Sequence, residues 1–268
     1  PLKKREGEEE ATSRKRRILE LNSLPSPSEY SRPGIKSCAN IDLIYHHRPQ
    51  GRSDIPIQFY HEIFEEFLAL LNAQDTDNEV VRYKALVEQL VPPLSEFLDN
   101  EHQRMELIRN FFSFLGIHLH PLGLYNMATD GTILKSTSSK GSFMLCNFEG
   151  KTDFGTGSCA YFQNACYYAK YLGDLLKGRE DMCSHACFPS FLVILEGMNI
   201  SVCGGILSEY PCIDKLTAVI PLDRAGYDYN TAVEAARMFQ ALKVCLDNLD
   251  KYYDKVISDE TIMPRISN

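Results

Sequence analysis

No apolar run in the 268-residue sequence approaches the roughly 20 residues that a membrane-spanning helix needs, and the charged N-terminus does not resemble a secretory signal. A soluble protein without a membrane partner is expected. An excess of basic charge is also missing. With 28 Lys and Arg against 36 Asp and Glu, the formal net charge is −8, which opposes long-range attraction to nucleic acid and argues against a generic DNA-coating protein. A local basic groove or a bound metal can still override that average. The sequence has no internal repeat, no phosphate-cradling G-x-x-x-x-G-K-[ST], no complete kinase signature and no G-x-S-x-G elbow. Gly155-Thr156-Gly157 is too short for a nucleotide site, and its simpler role is to let the chain turn past Lys151. The nine cysteines form no disulfide framework. Cys146, Cys166, Cys203 and Cys245 fall in apolar patterns and read as reduced core residues in a reducing compartment. Cys183-Ser184-His185-Ala186-Cys187 does not have the usual spacing of structural zinc ligands, so a zinc-stabilised adaptor is the weakest of three functional readings.

What is present is a globular composition, 44% hydrophobic and 10% aromatic, enough for one large core or one core with a helical addition. Residues 1–54 read as a basic, Pro/Ser-rich flexible arm, either a linker or a segment laid over the domain. Lys3-Lys4-Arg5 and Arg14-Lys15-Arg16-Arg17 flank an acidic spacer as in a bipartite nuclear-import signal, and Ser23-Leu24-Pro25-Ser26-Pro27-Ser28 breaks regular structure. Pro1 in place of Met suggests a fragment or a processed product. Tyr45-His46-His47 offers a weak metal pair.

Residues 55–256 read as a single domain, with a helical part (55–116) and an α/β core (117–256). Helical spacing links Phe59, Ile63, Phe64, Phe67, Leu68 and Leu71. A second helix is expected over 78–90, closed by Pro92-Pro93, and a third restarts there with Phe97 and Leu98. A fourth runs from Asn100 to about Leu115 with Met105, Ile108, Phe111, Phe112 and Leu115 inward. Strands are expected at 117–125, 130–134, 142–151, 189–196 and 200–207, with another over 216–222. From Asn230 an amphipathic helix of about eight turns follows. The fold class is α/β: a mixed sheet of about five strands flanked by helices, with a helical N-terminal addition. Residues 257–268 suit a tail or a linker to a further C-terminal domain.

The chemistry gathers around 130–168. Ser142 to Lys151 reads as a strand leaving an apolar segment, Phe143-Met144-Leu145-Cys146, for charge. Strand alternation puts Glu149 and Lys151 on one face, the face begun by Phe143 and Leu145. Asp130-Gly131-Thr132-Ile133-Leu134 and the polar turn ending in Gly141 make the hairpin that sets Asp130 beside Glu149. Two hard oxygen ligands and a lysine suit Mg²⁺ or Mn²⁺ and phosphodiester hydrolysis. The helix expected from about Cys159 to Lys177 aims Gln163 at that site, with Tyr167 one turn on along the same face.

Asp130, Glu149-x-Lys151 and a following helix with Gln163 resemble the PD-(D/E)xK, restriction-endonuclease-like superfamily. Glu149-Gly150-Lys151, the Gly/Thr-rich loop, Tyr161-Phe162-Gln163-Asn164-Ala165-Cys166-Tyr167-Tyr168 and Phe188-Pro189-Ser190-Phe191 resemble the nuclease-like domain of Crinkler-type effectors, over roughly 55–256. The resemblance implies a Mg²⁺-dependent nuclease acting on DNA in preference to RNA, found upstream of a kinase-like domain. It implies a further acid on the helix before the first core strand, with Glu101 the first candidate and Glu106 the second. The expected catalytic residues are thus Asp130, Glu149, Lys151, Gln163 and Glu101, with Asp130, Glu149 and Glu101 holding the metal. The contrasting reading is a catalytically silent binding or regulatory module of this fold.

Overall fold

The apolar run Ser190-Phe191-Leu192-Val193-Ile194-Leu195 becomes the middle strand of a mixed sheet, buried on both faces, as its unbroken hydrophobicity requires. A computed structural model describes residues 12–13, 15–24, 44–45, 55–74, 77–96, 101–124, 127–137, 141–151, 159–177, 179, 182, 186–223 and 228–258. In chain order the elements are a 3₁₀ turn Ile57–Phe59, α1 (Glu62–Leu71), α2 (Asn78–Leu94), α3 (Glu101–Phe114), β1 (Gly123–Leu124) and β2 (Met127–Ala128). Then come β3 (Gly131–Thr137), β4 (Gly141–Lys151), α4 (Ala160–Leu176), β5 (Ser190–Glu196) and β6 (Asn199–Leu207). β7 (Pro211–Lys215), β8 (Ile220–Pro221) and α5 (Tyr229–Ser258) complete the series.

The sheet order is β3-β4-β5-β6-β7, with β8 pairing β6. β4 and β5 are parallel and joined through α4, and the other neighbours are antiparallel. One face of the sheet is covered by α1, α3 and α5: Phe64 and Phe67 meet Phe191, Phe112 meets Phe148, and Phe143 stacks on Tyr253. α2 packs on α5. The other face carries α4, whose Tyr168 hydroxyl donates to Phe188 O and whose Tyr171 hydroxyl accepts from Met144 N. Gly204 makes the first layer possible, since a Cβ there would lie 2.3 Å from Ile57 Cδ1 and 2.6 Å from Phe64 Cε1.

Several expectations need correcting. Residues 15–22 are helical and not flexible, and they lie on the domain: Ile18, Leu21 and Leu24 are buried, Asn22 Nδ2 donates to Gly173 O, and Arg17 pairs with Glu209 at 2.8 Å. Asn22 lies against Gly173 of α4, where a Cβ would meet its Oδ1 at 2.6 Å, and α4 is buried along most of its length. Tyr45 joins the edge strand, exchanging backbone hydrogen bonds with Pro211 and Ile213. Phe59 is 75% exposed and Ile57 takes its place in the core. α2 continues through Pro92 and Pro93, because Val91 and Leu94 are both buried and their packing outweighs the proline penalty. The strand expected over 117–125 shrinks to a bridge, His120 with Thr132, and the short β1–β2 pair, as Pro121 and Gly123 interrupt the ladder. The strand expected over 216–222 is mostly β7, earlier in the chain, with only β8 inside that range. Residues 97–98, with the third helix expected there, lie outside the described residues, as do His46, His47, Cys183 and His185.

Candidate active site

β3 and β4 pair with Gly131 opposite Phe148, so continuing the register sets Asp130 opposite Glu149, as the hairpin reading requires. Asp130 Oδ2 accepts the amide of Gly150 at 2.8 Å. Lys151 Nζ donates to Glu149 Oε1 at 2.8 Å, two residues along the same face. Glu149 is only 2% exposed. A carboxylate so far from water needs a close counter-charge, and Lys151, reaching in from a more open position, supplies it.

The face that carries this pair is not the one begun by Phe143. Ile133 opposes Cys146 whereas Leu134 opposes Met144, so Leu145 is the extra residue of a β-bulge. A bulge inverts the alternation beyond it. Phe143 and Phe148 therefore both meet the α3–α5 layer, stacking on Tyr253 and Phe112. Asn147 and Glu149 are turned to the α4 side, where Asn147 bonds Asn164.

Both helical layers clamp the Asp130 turn. From α3, Arg109 donates Nε and Nη2 to the Asp130 carbonyl at 3.2 and 2.9 Å. From α4, the Tyr167 hydroxyl donates to Ala128 O at 2.7 Å. Burial, and then the nearby charges of Glu149 and Asp130, push the Tyr167 phenol well above its ordinary range, so it stays protonated and keeps donating. At Gly150 a Cβ would lie 2.8 Å from Met105 Sδ, so the glycine lets α3 press on β4 here, while Asp130 Oδ2 would be at ordinary contact distance, 3.7 Å.

Gln163, one turn before Tyr167 on the same side of α4, is buried, and its Oε1 has no hydrogen-bond partner among the described residues. Glu196 was not singled out from the sequence. It stands in register with Lys151 on the parallel neighbour, and its Oε1 accepts Ala160 N at 3.0 Å, capping the start of α4. Gly197 N bonds Lys151 O and Arg104 Nη1 bonds Gly197 O, which closes the turn behind the lysine. Glu101 opens α3, and its side chain lies outside the described residues; Glu106 is exposed.

Asp130 and Glu149 suit a small hard cation, which takes carboxylate oxygens from the protein and fills its remaining positions with water and phosphate oxygens. Among the described residues no group of three or more His, Cys, Asp and Glu gathers to hold a metal. Among the described residues, the carboxylates that would hold a cation here are those of Asp130 and Glu149. No helix among the described residues is long and apolar enough to cross a membrane. No family model, no curated protein and no solved structure matches the chain.

Proposed function

We propose that the chain is a metal-dependent nuclease of the PD-(D/E)xK kind, hydrolysing phosphodiester bonds of DNA. The observation that carries this reading is the convergence of Asp130, Glu149 and Lys151 at the end of one hairpin, with Tyr167 close enough to feel both carboxylates. An acid from one strand end set beside an acid and a lysine from its neighbour serves little purpose in a scaffold. Asp130 and Glu149 would hold Mg²⁺ or Mn²⁺, with Glu101 as a third donor by resemblance. The metal would supply charge neutralisation at phosphorus and a water of lowered pKa. Lys151 then orients the attacking water or sets its ammonium against the phosphoryl oxygens. By the same resemblance Gln163 would tune or orient that group, its buried Oε1 making no hydrogen bond among the described residues. The preference for DNA rests on the resemblance to Crinkler-type domains, and nuclear import on Lys3-Lys4-Arg5 and Arg14-Lys15-Arg16-Arg17 being spaced as in a bipartite signal.

A second reading, a silent regulatory module of a larger kinase-containing protein, is favoured by one observation: Glu149 is 2% exposed and already paired with Lys151. Incubating linear DNA, supercoiled DNA and single-stranded RNA with Mg²⁺, Mn²⁺ or EDTA, for wild type and Lys151→Ala, separates the two. The nuclease reading expects metal-dependent cutting of DNA that drops at least about a hundredfold without the lysine. Lys151→Ala uncovers a buried carboxylate, so circular dichroism must show it folded; Asp130→Asn provides the same test without that risk. Equal cutting by the variants would remove Lys151 and Asp130 from the chemistry and overturn this reading of the site; no cutting by the folded wild type favours the silent module.

A further inference from the structure

Beneath the two carboxylates runs an unbroken chain of buried hydrogen bonds. Leu122 N donates to Thr129 Oγ1 at 3.0 Å, and Thr129 Oγ1 lies 2.7 Å from Thr132 Oγ1. Thr132 Oγ1 donates to Asn147 Oδ1 at 2.6 Å, and Asn147 Nδ2 to Asn164 Oδ1 at 2.9 Å. Asn164 Nδ2 ends the chain on the carbonyls of Val193 at 2.9 Å and Asn147 at 3.3 Å. Thr129, Thr132, Asn147 and Asn164 are all buried.

The direction of every proton in this chain is fixed by its ends. A carbonyl can only accept, so Asn164 must turn its NH₂ to Val193 and its Oδ1 to Asn147. Asn147 must then offer its NH₂ to Asn164 and its Oδ1 to Thr132, which makes Thr132 the donor in that pair. Its hydroxyl proton being used, Thr132 can only accept from Thr129. Thr129 in turn accepts from Leu122 N, which can only donate. Both backbone termini agree, so the four side chains have a single consistent arrangement.

Each of them is tied by sequence to a group of the site. Thr129 precedes Asp130, Thr132 follows it by two residues, Asn147 stands two before Glu149 on the same face, and Asn164 follows Gln163. The chain thus links the Asp130 turn, the strand that bears Glu149 and the helix that bears Gln163 through bonds that have no alternative pairing. A core made only to exclude water would be apolar here, because a partly satisfied polar network destabilises more than it contributes.

We propose that Thr132 and Asn147 are positioning residues: their hydrogen-bonded chain sets the placement of Asp130 against Glu149 and thereby the affinity of the pair for a divalent cation. This rests on the metal-dependent reading of the site. Thr132→Val keeps the shape and deletes the donor, Thr132→Ser keeps the donor, and Asn147→Asp removes the amide proton that Asn164 accepts.

The test is Mn²⁺ binding followed by electron paramagnetic resonance of the free ion, alongside thermal unfolding and, where cleavage is seen, the Mg²⁺ concentration for half-maximal rate. Thr132→Val should weaken Mn²⁺ binding about tenfold, the scale on which partners behind a metal ligand act. Its half-maximal Mg²⁺ concentration should rise by a like factor while KM for DNA stays put, and Thr132→Ser should restore both. Asn147→Asp should fail as Thr132→Val does. If the wild type binds Mn²⁺ and Thr132→Val binds it equally well, or if Thr132→Val loses thermal stability alone, the positioning role is overturned while the nuclease reading stands. If the folded wild type binds no Mn²⁺, both are overturned.

Discussion

At the scale of single residues, groups that titrate or carry charge do so under strong local constraint. His61 shows this away from the candidate site. Its Nδ1 caps α1 by accepting Ile63 N at 3.1 Å, and its ring meets Tyr252 edge-on at 4.5 Å. Burial lowers its pKa below the ordinary 6.5, with Glu62 pulling weakly the other way. The unfolded chain therefore takes up the proton first as pH falls. This contribution to stability is complete above about pH 6.5 and is lost as pH drops toward the lowered folded value. His61→Asn keeps a capping oxygen and removes the titration. Between pH 7.5 and 5.5 the thermal midpoint of the wild type should fall more than that of His61→Asn; equal falls would remove His61 from the account. The same desolvation raises the thiols of half-buried Cys187, to about 11, and of buried Cys203 and Cys245, to about 12.

At the scale of elements, legibility followed the strength of the local pattern. The long helix was readable because Val233, Ala236, Phe239, Leu242, Leu246 and Leu249 repeat without a break, and all are buried in α5. Likewise Glu149 and Lys151 were readable as neighbours on one face, and Asp130 as their companion, from strand alternation and the hairpin alone. The bulge at Leu145 was not, because an inserted residue in an all-apolar run leaves no mark in the sequence. β7 escaped notice since Pro211 opens it and only Cys212 and Ile213 are apolar. Arg109 and Glu196 carry no mark in the sequence, their roles depending on which turn each faces. Asn147 did give a signal: a polar residue between Cys146 and Phe148, in an otherwise buried strand, must find a partner.

Element packing also sets a stability prediction. Gly204 lies where α1 and the 3₁₀ turn press on β6. The Cβ of Gly204→Ala would collide with Ile57 and Phe64, and the resulting overpacking should destabilise the fold by about 1–3 kcal/mol in chemical denaturation. A change below about 0.5 kcal/mol, the scatter of neutral surface substitutions, would mean that this layer is loosely packed.

At the scale of the whole molecule, a mixed sheet lies between two helical layers, and the candidate site stands where β4 ends between α3 and α4. Residues 15–24, read from composition as part of an arm, complete the α4 layer because Ile18, Leu21 and Leu24 recur at helical spacing among the charges. With a net charge of −8 the chain as a whole repels a polyanion, so any nuclease action must depend on charge supplied locally, by Lys151 and a divalent cation. The most direct measurement is single-turnover cleavage of a labelled DNA duplex in Mg²⁺, comparing wild type with Glu149→Gln, which keeps the shape and removes the charge. The account predicts cleavage by the wild type, abolished by EDTA and reduced at least about a thousandfold in Glu149→Gln at unchanged fold. Equal rates for the two proteins, or cleavage indifferent to EDTA, would contradict it.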